Sequence, residues 1–269
     1  MPIDAWSCAY VTGGSSGIGL EMARRCADRG LDVAVFSRRP ERALETLRAA
    51  RRSKDQRVFA YATDVSDATA VRTAFDRATA DCGPPDLVFN SAGIVSARAF
   101  DALPGEEFAR VIAVNLVGSR NVAAAAVPLL RPGGTLALVA SLAGHVGCYG
   151  YAAYAASKFG VIGLAEVLRI ELAPRGIAVS VICPPEVETP MVEYERTVRP
   201  PQTTAMKQLA GTLPVETACT GILHGLERGR FMIIPGRLAR ATAALQRYAP
   251  RRITQGVADW IVARSSRVP

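Results

Sequence analysis

The chain has 269 residues and a 49% apolar fraction, enough for one substantial core and incompatible with a disordered chain. Its formal charge of +8 is uneven: from Arg237 to Pro269 seven arginines stand against one acid, so this tail carries +6. The longest small-apolar run, "VAAAAVPLL", is too short to span a bilayer, and the N-terminus enters a strand without a basic signal-peptide region.

A cytoplasmic protein is therefore expected, either free or peripheral on the cytosolic face of the inner membrane. The six cysteines lie far apart and suggest no close pair, zinc cluster or redox motif, so free core thiols and no metal are expected.

Short branched strands alternate with longer helical patterns. "CAYVTGG" reads as the first strand, and a helix opens near Gly17 and stops at Gly30. "LDVAVFSR" is the second strand, and a charge-laced helix covers residues 40–52. "RVFAYATDV" is the third strand, followed by a helix over 67–81, and "PDLVFNSAG" is the fourth. Residues 106–130 are mainly helical, "GTLALVAS" is the fifth strand, and a long helix runs from Tyr151 to Leu172. "IAVSVIC" is the sixth strand and "RFMIIPG" a seventh.

Apolar strands with little polar alternation suit a parallel sheet covered on both faces. The expected fold class is α/β: a Rossmann-type doubly wound, mostly parallel seven-stranded sheet, with one catalytic domain over 1–236 and a basic helical extension over 237–269. Ligands in this architecture sit beyond the carboxyl ends of the strands.

"TGGSSGIG", Thr12 to Gly19, joins a strand to a helix. Its glycines fit a structural turn, or a cradle that brings a diphosphate onto free helix amides, and the strand–turn–helix context favours the cradle. The second strand ends in Ser37, Arg38 and Arg39 rather than an acid. Arginine there suits a 2'-phosphate, which points to NADPH/NADP+, although ordinary surface arginine fits too. Asp64 and Val65 close the third strand, where Asp64 either accepts from an adenine amine or caps a helix with Ser66 and Asp67.

Tyr154 and Lys158 stand four apart on one helix face. A lysine ammonium beside a phenol lowers the phenol's pKa, which suits proton transfer. Ser141, at the end of the fifth strand, supplies a second donor to a carbonyl oxygen. His145 is either catalytic, structural or a substrate contact, and His224 reads as a packing or surface residue.

The combination of Thr12–Gly19, Asn90-Ser91-Ala92-Gly93, Asn115, Ser141 and Tyr154–Lys158 resembles the short-chain dehydrogenase/reductase family in order and over nearly the whole domain. The resemblance implies Tyr154 as general acid in ketone reduction and Lys158 as ribose ligand that lowers the Tyr154 pKa. It implies Ser141 as carbonyl orienter and Asn115 as holder of the helix and of a water beside Lys158. The implied cofactor contacts are Gly13, Ser15, Ser16, Gly17, Ile18, Gly19, Arg38, Arg39, Asp64, Val65, Asn90, Ala92, Gly93, Tyr154, Lys158, Pro184, Val187 and Thr189, with Pro184 by the nicotinamide. Ser91 departs from the pattern, where the family repeats asparagine.

"PPEVETPMVEYERTVRP" and the stretch around Tyr154 are similar, more narrowly, to the subgroup that reduces the C3 ketone of 3-ketosphinganine to sphinganine with NADPH. That similarity implies a long-chain 3-keto sphingoid base as partner. Glu186, Glu188 and Glu193 are then candidates to attract its ammonium, and Val187, Met191, Val192 and Met206 to cover its alkyl chain, under a lid from Pro190 to about Leu213.

Other lipid, steroid or 3-oxoacyl ketones are the alternative substrates. A catalytically quiet nucleotide-binding scaffold is the non-enzymatic alternative, against which Ser141, Tyr154 and Lys158 argue. The family implies a homodimer or homotetramer. Leu238, Leu245 and Tyr248, then Ile253, Val257, Trp260 and Ile261, recur at helical intervals among arginines, which fits an anionic membrane surface or packing on the domain or a second subunit. No nucleic acid is expected, because no aromatic base-stacking platform accompanies the arginines.

Overall fold

Alternate residues of strand β1 (Cys8–Thr12) serve two different cores. Tyr10 joins Ala34, Phe36 and Phe75 on one side of the sheet, while Ala9 and Val11 join Val33, Val35 and Met22 on the other. Strand side chains alternate faces, and here both faces are covered, which is why the strands read as continuous apolar runs. Phe36 and Phe75 pack with ring centroids 4.6 Å apart, and Tyr10 lies 5.4 Å from each.

These features come from a computed structural model that describes residues 6–265. The two outer ends of the expected domain boundaries, Arg267 and the side chain of Arg251 lie outside the described residues.

In chain order, β1 leads to α1 (Gly17–Asp28), β2 (Asp32–Ser37), α2 (Glu41–Ala49), β3 (Val58–Ala62), α3 (Ala68–Cys82) and β4 (Leu87–Asn90). Helices α4 (Gly105–Ile112) and α5 (Gly118–Ala126) follow, then β5 (Thr135–Val139), α6 (Ala152–Leu172) and β6 (Ala178–Ile182). The chain continues through β7 (Glu186–Val187), α7 (Pro190–Val198), α8 (Pro201–Gln208), β8 (Thr212–Leu213) and α9 (Val215–Glu227). It ends with β9 (Met232–Ile233), α10 (Arg237–Tyr248) and α11 (Arg251–Ser265).

The main sheet has the order β3-β2-β1-β4-β5-β6-β9, all parallel, and "RFMIIPG" supplies its seventh strand through the Val181–Met232 and Ile182–Ile233 pairs. The order reverses between β1 and β4, so the carboxyl ends of these two strands open a crevice.

Three features differ from the sequence expectations. The helical stretch 106–130 is two helices joined by a π-helical turn, Ala113–Val117, which carries Asn115. The segment after β6 is no open loop: it folds into α7 and α8, and the β7–β8 pair (Glu186 with Thr212, Val187 with Leu213) ties its two ends together. Cys8 and Cys82, 74 positions apart, meet as buried free thiols with sulfurs 3.9 Å apart. The adjacent β1 and α3 bring them together, which sequence spacing does not reveal.

The basic tail forms α10 and α11, and α11 packs on α8. Ala239 and Ile261 are buried, while Leu238, Leu245, Tyr248, Ile253, Val257 and Trp260 stay exposed.

Candidate active site

The crevice between β1 and β4 begins with Thr12 and Asn90, paired in register as the last residues of their strands. The Thr12 hydroxyl donates to Asn90 Oδ1 at 2.5 Å, and Asn90 Nδ2 donates to the Ser119 hydroxyl at 2.8 Å. Ala92 N–H donates to Thr12 Oγ1 at 3.3 Å, so this pair shapes the floor from beneath. Asn90 and Gly19 support the crevice without lining it, whereas the other expected cofactor contacts line it.

Gly13 and Gly17 have φ of +65° and +53°. A Cβ on Gly13 would lie 2.7 Å from the Ala92 nitrogen, and one on Gly17 would lie 3.0 Å from Thr189 Cγ2. Only glycine turns the chain there without collision. Helix α1 opens at this turn with no acid in its first turn and with a Ser16 side chain that makes no capping bond, so its first amides face the crevice.

Arg38, Arg39 and Arg42 line the far wall, together with a buried Ser37 hydroxyl that has no hydrogen-bond partner among the described residues. Arg42 extends the expected arginine pair by one turn of α2; its spacing from Arg38 was the available signal. Asp64 accepts from Ser66 N–H at 2.9 Å and from its hydroxyl at 2.6 Å. These two bonds hold its carboxyl below the usual range, with Arg38 adding to the effect. Asp67 caps α3 separately, accepting from Thr69 and Ala70. The glycine cradle, open helix amides, arginines and Ser37 hydroxyl fit a nicotinamide dinucleotide and its phosphates.

On the other side, α6 places Tyr154 and Lys158 on one face. Asn115 holds their surroundings rigid: its Oδ1 accepts from Ile94 N–H at 2.8 Å, and its Nδ2 donates to Ile94 O at 2.9 Å and to Ser157 Oγ at 3.0 Å. Ser157 in turn donates to Tyr154 O at 2.7 Å. A fully buried Asn with its amide engaged on both atoms is a fixed strut.

Lys158 Nζ donates to Val139 O at 2.9 Å and sits 5.6 Å from the centre of the Tyr154 ring. Burial dominates and pushes the phenol up to about 12, although the hydrogen bond with the Ser141 side chain pulls it back. Burial likewise lowers Lys158 to about 8. At neutral pH Tyr154 is therefore a protonated phenol, the form that can give a proton to a ketone oxygen. Ser141 sits beside it as the N-cap of a short turn, accepting from Ala143 N–H at 3.2 Å.

The expected ammonium ligands divide. Glu186 is taken by the protein's own cations: it pairs with Arg196, with Arg199 at 2.7 Å and with Lys207 at 2.7 Å, and Thr212 donates to it at 3.3 Å. Its carboxyl is buried, which works against ionisation, but the Lys207, Arg196 and Arg199 contacts outweigh burial and hold it at about 2. Glu188 and Glu193 are exposed and do not line the cavity. A second buried carboxylate is Glu195, which sequence reasoning missed because α7 was read as loop.

His145 does not line the cavity; burial first, then Arg247, lowers its pKa against a smaller opposing effect of Glu166. His224 is exposed on α9, 4.0 Å from Glu227.

One cavity of about 830 Å³ joins these parts. It runs from the glycine cradle past Ser141 and Tyr154 to Val187, Met191, Val192 and Met206, and ends among Leu238, Leu245, Ile253 and Val257. The apolar residues expected to cover an alkyl chain all line it, and the contribution of α10 and α11 is an addition.

Residues 7–199 match the family model described as short chain dehydrogenase. A 3-dehydrosphinganine reductase of Arabidopsis thaliana is 35% identical over 83% of this chain and 68% of its own length. A 3-ketodihydrosphingosine reductase of Bos taurus is 31% identical over 82% and 68%. Among solved structures, a short chain dehydrogenase/reductase from Burkholderia phymatum in complex with NAD has a TM-score of 0.79 at 25% identity, covering 91% of this chain and 94% of that one. A short chain dehydrogenase from Burkholderia cenocepacia in complex with NADP has a TM-score of 0.76 at 28% identity, covering 87% and 98%. Motif, sheet order and similarity agree: the chain is an oxidoreductase that belongs to the short-chain dehydrogenase family.

Proposed function

We propose that the protein reduces the C3 ketone of a long-chain 3-keto sphingoid base, 3-ketosphinganine, to sphinganine with NADPH. The observation that carries this reading is the continuous apolar passage from the Tyr154 phenol to the α10–α11 mouth. Similarity to relatives named for this reaction supports it. Each methylene buried in such a passage contributes about 0.8 kcal/mol, so a long alkyl chain is a strong handle.

A bound nicotinamide supplies the hydride. Gly13, Gly17 and the α1 amides hold the diphosphate, and Arg38, Arg39 and Arg42, with no acid at the end of β2, favour the 2'-phosphate of NADPH over NADH. Ser141 orients the ketone, Tyr154 donates the proton to its oxygen, and Lys158 holds the ribose beside that phenol. The runner-up reading is another lipid, steroid or 3-oxoacyl ketone.

NADPH oxidation by purified protein tests the choice, with 3-ketosphinganine beside simple ketones and 3-oxoacyl thioesters. A kcat/KM for the sphingoid ketone no higher than for the others overturns the substrate assignment.

The same reading places the protein in the cytoplasm as a peripheral visitor to anionic membrane. No helix among the described residues is long and apolar enough to cross a bilayer. Exposed Leu245 and Trp260 project among Arg247, Arg252 and Arg264, and the arginines of this tail complement an anionic lipid surface. Co-sedimentation with phosphatidylglycerol vesicles, reduced by Trp260→Glu and by salt, is the expected result. Self-association through exposed Val117, Phe159 and Ile170 beside the active-site helices is the accompanying proposal, read by light scattering.

A further inference from the structure

The lid and the catalytic helix meet in one buried polar cluster that the reaction itself does not require. Tyr151, immediately before α6, donates its hydroxyl to Glu195 Oε1 of α7 at 2.6 Å. Lys207 of α8 donates to the Tyr151 oxygen at 2.9 Å and to Glu195 Oε2 at 2.7 Å, and its ammonium lies 5.5 Å from the centre of the Tyr151 ring. Glu195 is 2% exposed and Tyr151 4% exposed, so these bonds form away from competing water.

On its other side, the Tyr151 ring meets the Tyr154 ring edge-on, with centroids 5.1 Å apart and planes at 61°. One aromatic ring thus has its hydroxyl clamped by the lid and its edge set against the proton-donating phenol. Two further bonds fasten α8 to the same segment: Thr203 Oγ1 donates to Tyr149 O at 2.8 Å, and Tyr149 N–H donates to Met206 Sδ at 3.4 Å.

The opposite end of α7 reaches the cofactor cradle. Thr189 caps the helix, accepting from Val192 N–H at 3.4 Å, and its methyl lies 3.0 Å from where a Cβ on Gly17 would stand. Helix α7 therefore spans from the phosphate turn to the catalytic helix, and both its ends are fixed by side-chain contacts.

We propose that Tyr151 is a positioning residue: the Glu195–Tyr151–Lys207 cluster latches the lid to α6 and sets Tyr154 at the ketone only when α7 and α8 are seated. Three consequences follow. Lid closure and proton-donor alignment become one event. A ketone long enough to hold α7 and α8 down through Met191 and Met206 improves the alignment of Tyr154. Short ketones that do not touch the lid lose kcat as well as binding. The inference rests on Tyr154 being the proton donor.

The test compares Tyr151→Phe, which keeps the ring against Tyr154 but removes the hydroxyl, with Lys207→Met, Glu195→Gln and the Tyr151→Phe/Lys207→Met pair. Two readouts apply: amide exchange over 190–208 in the NADPH complex, and kcat and KM with 3-ketosphinganine in detergent micelles. Loss of a buried charge-assisted bond in Tyr151→Phe should speed exchange in α7 and α8 at least about tenfold. Misplacement of the phenol should lower kcat about tenfold, with the NADPH Kd unchanged. Glu195→Gln, whose amide oxygen still accepts from Tyr151, should lie between wild type and Tyr151→Phe.

The double variant should be no worse than Lys207→Met alone, because the latch is already open there and Lys207→Met also removes a partner of Glu186. Unchanged exchange in Tyr151→Phe, unchanged kcat, or additive losses in the double variant overturn the proposal. Tyr154→Phe separates the two claims: it should abolish turnover without altering lid exchange, and residual turnover there overturns the proton-donor reading instead.

Discussion

Replacing Glu186 by Gln removes the negative centre on which Arg196, Arg199 and Lys207 converge. The Glu186 side chain is 4% exposed, and Arg199 and Lys207 are 9% and 14% exposed, whereas Arg196 is 42% exposed. Holding the carboxyl at about 2 instead of 4.5 corresponds to roughly 3 kcal/mol of stability at neutral pH. The Arg196 share is screened by solvent, which brings the expected loss in Glu186→Gln to about 2 kcal/mol. For a chain of this size that is a fall in Tm of about 4–8 °C at pH 7.

The sign with pH is fixed by the direction of the shift. A carboxyl lowered in the folded state stabilises the fold above about 4.5, and that stabilisation drains away as pH falls through about 2. The gap between wild type and Glu186→Gln, measured by thermal denaturation with circular dichroism, should be full at pH 7 and narrower at pH 3. A shift of less than 1 °C at pH 7, or a gap just as wide at pH 3, refutes this reasoning.

Replacing Arg38 by Ala should raise the KM for NADPH by roughly tenfold to a hundredfold while leaving that for NADH within about twofold, since one charge-assisted phosphate bond is worth about 1.5–3 kcal/mol; steady-state kinetics with both cofactors reads this. Because burial lowers Lys158 to about 8, its ammonium is lost as pH rises, and kcat/KM should descend through a single limb near pH 8. Lys158→Arg should move that limb upward, and a flat profile from pH 7 to 9.5 contradicts the assignment. Shortening the ketone's alkyl chain by two methylenes should lower kcat/KM by up to about fifteenfold, at about 0.8 kcal/mol each.

Much of the fold was legible because its signals are local. Both faces of the sheet are covered, so Val33 to Phe36 and Leu136 to Val139 read as unbroken apolar runs, and Gly13 and Gly17 announce the turn between them and the cofactor side. The Tyr154–Lys158 spacing on α6 was likewise readable, as was the set of residues lining the cradle.

What was hidden depends on distant contacts. Glu186 was expected to meet the ammonium of an amino-ketone substrate, yet α7 and α8 fold back and deliver Arg199 and Lys207 to it. Glu195 could not be distinguished from Glu193 until α7 buried one and exposed the other. The burial that pushes the Tyr154 phenol up, and the Val139 carbonyl that accepts from Lys158, likewise come from elements distant in sequence.

The most direct test of the central claim is the stoichiometry of product formation with 3-ketosphinganine and NADPH, followed by mass spectrometry alongside NADPH absorbance. One sphinganine per NADPH consumed by wild type, with turnover abolished and NADPH binding retained in Tyr154→Phe, is the predicted result. NADPH consumption without sphinganine, or equal product from Tyr154→Phe, contradicts it.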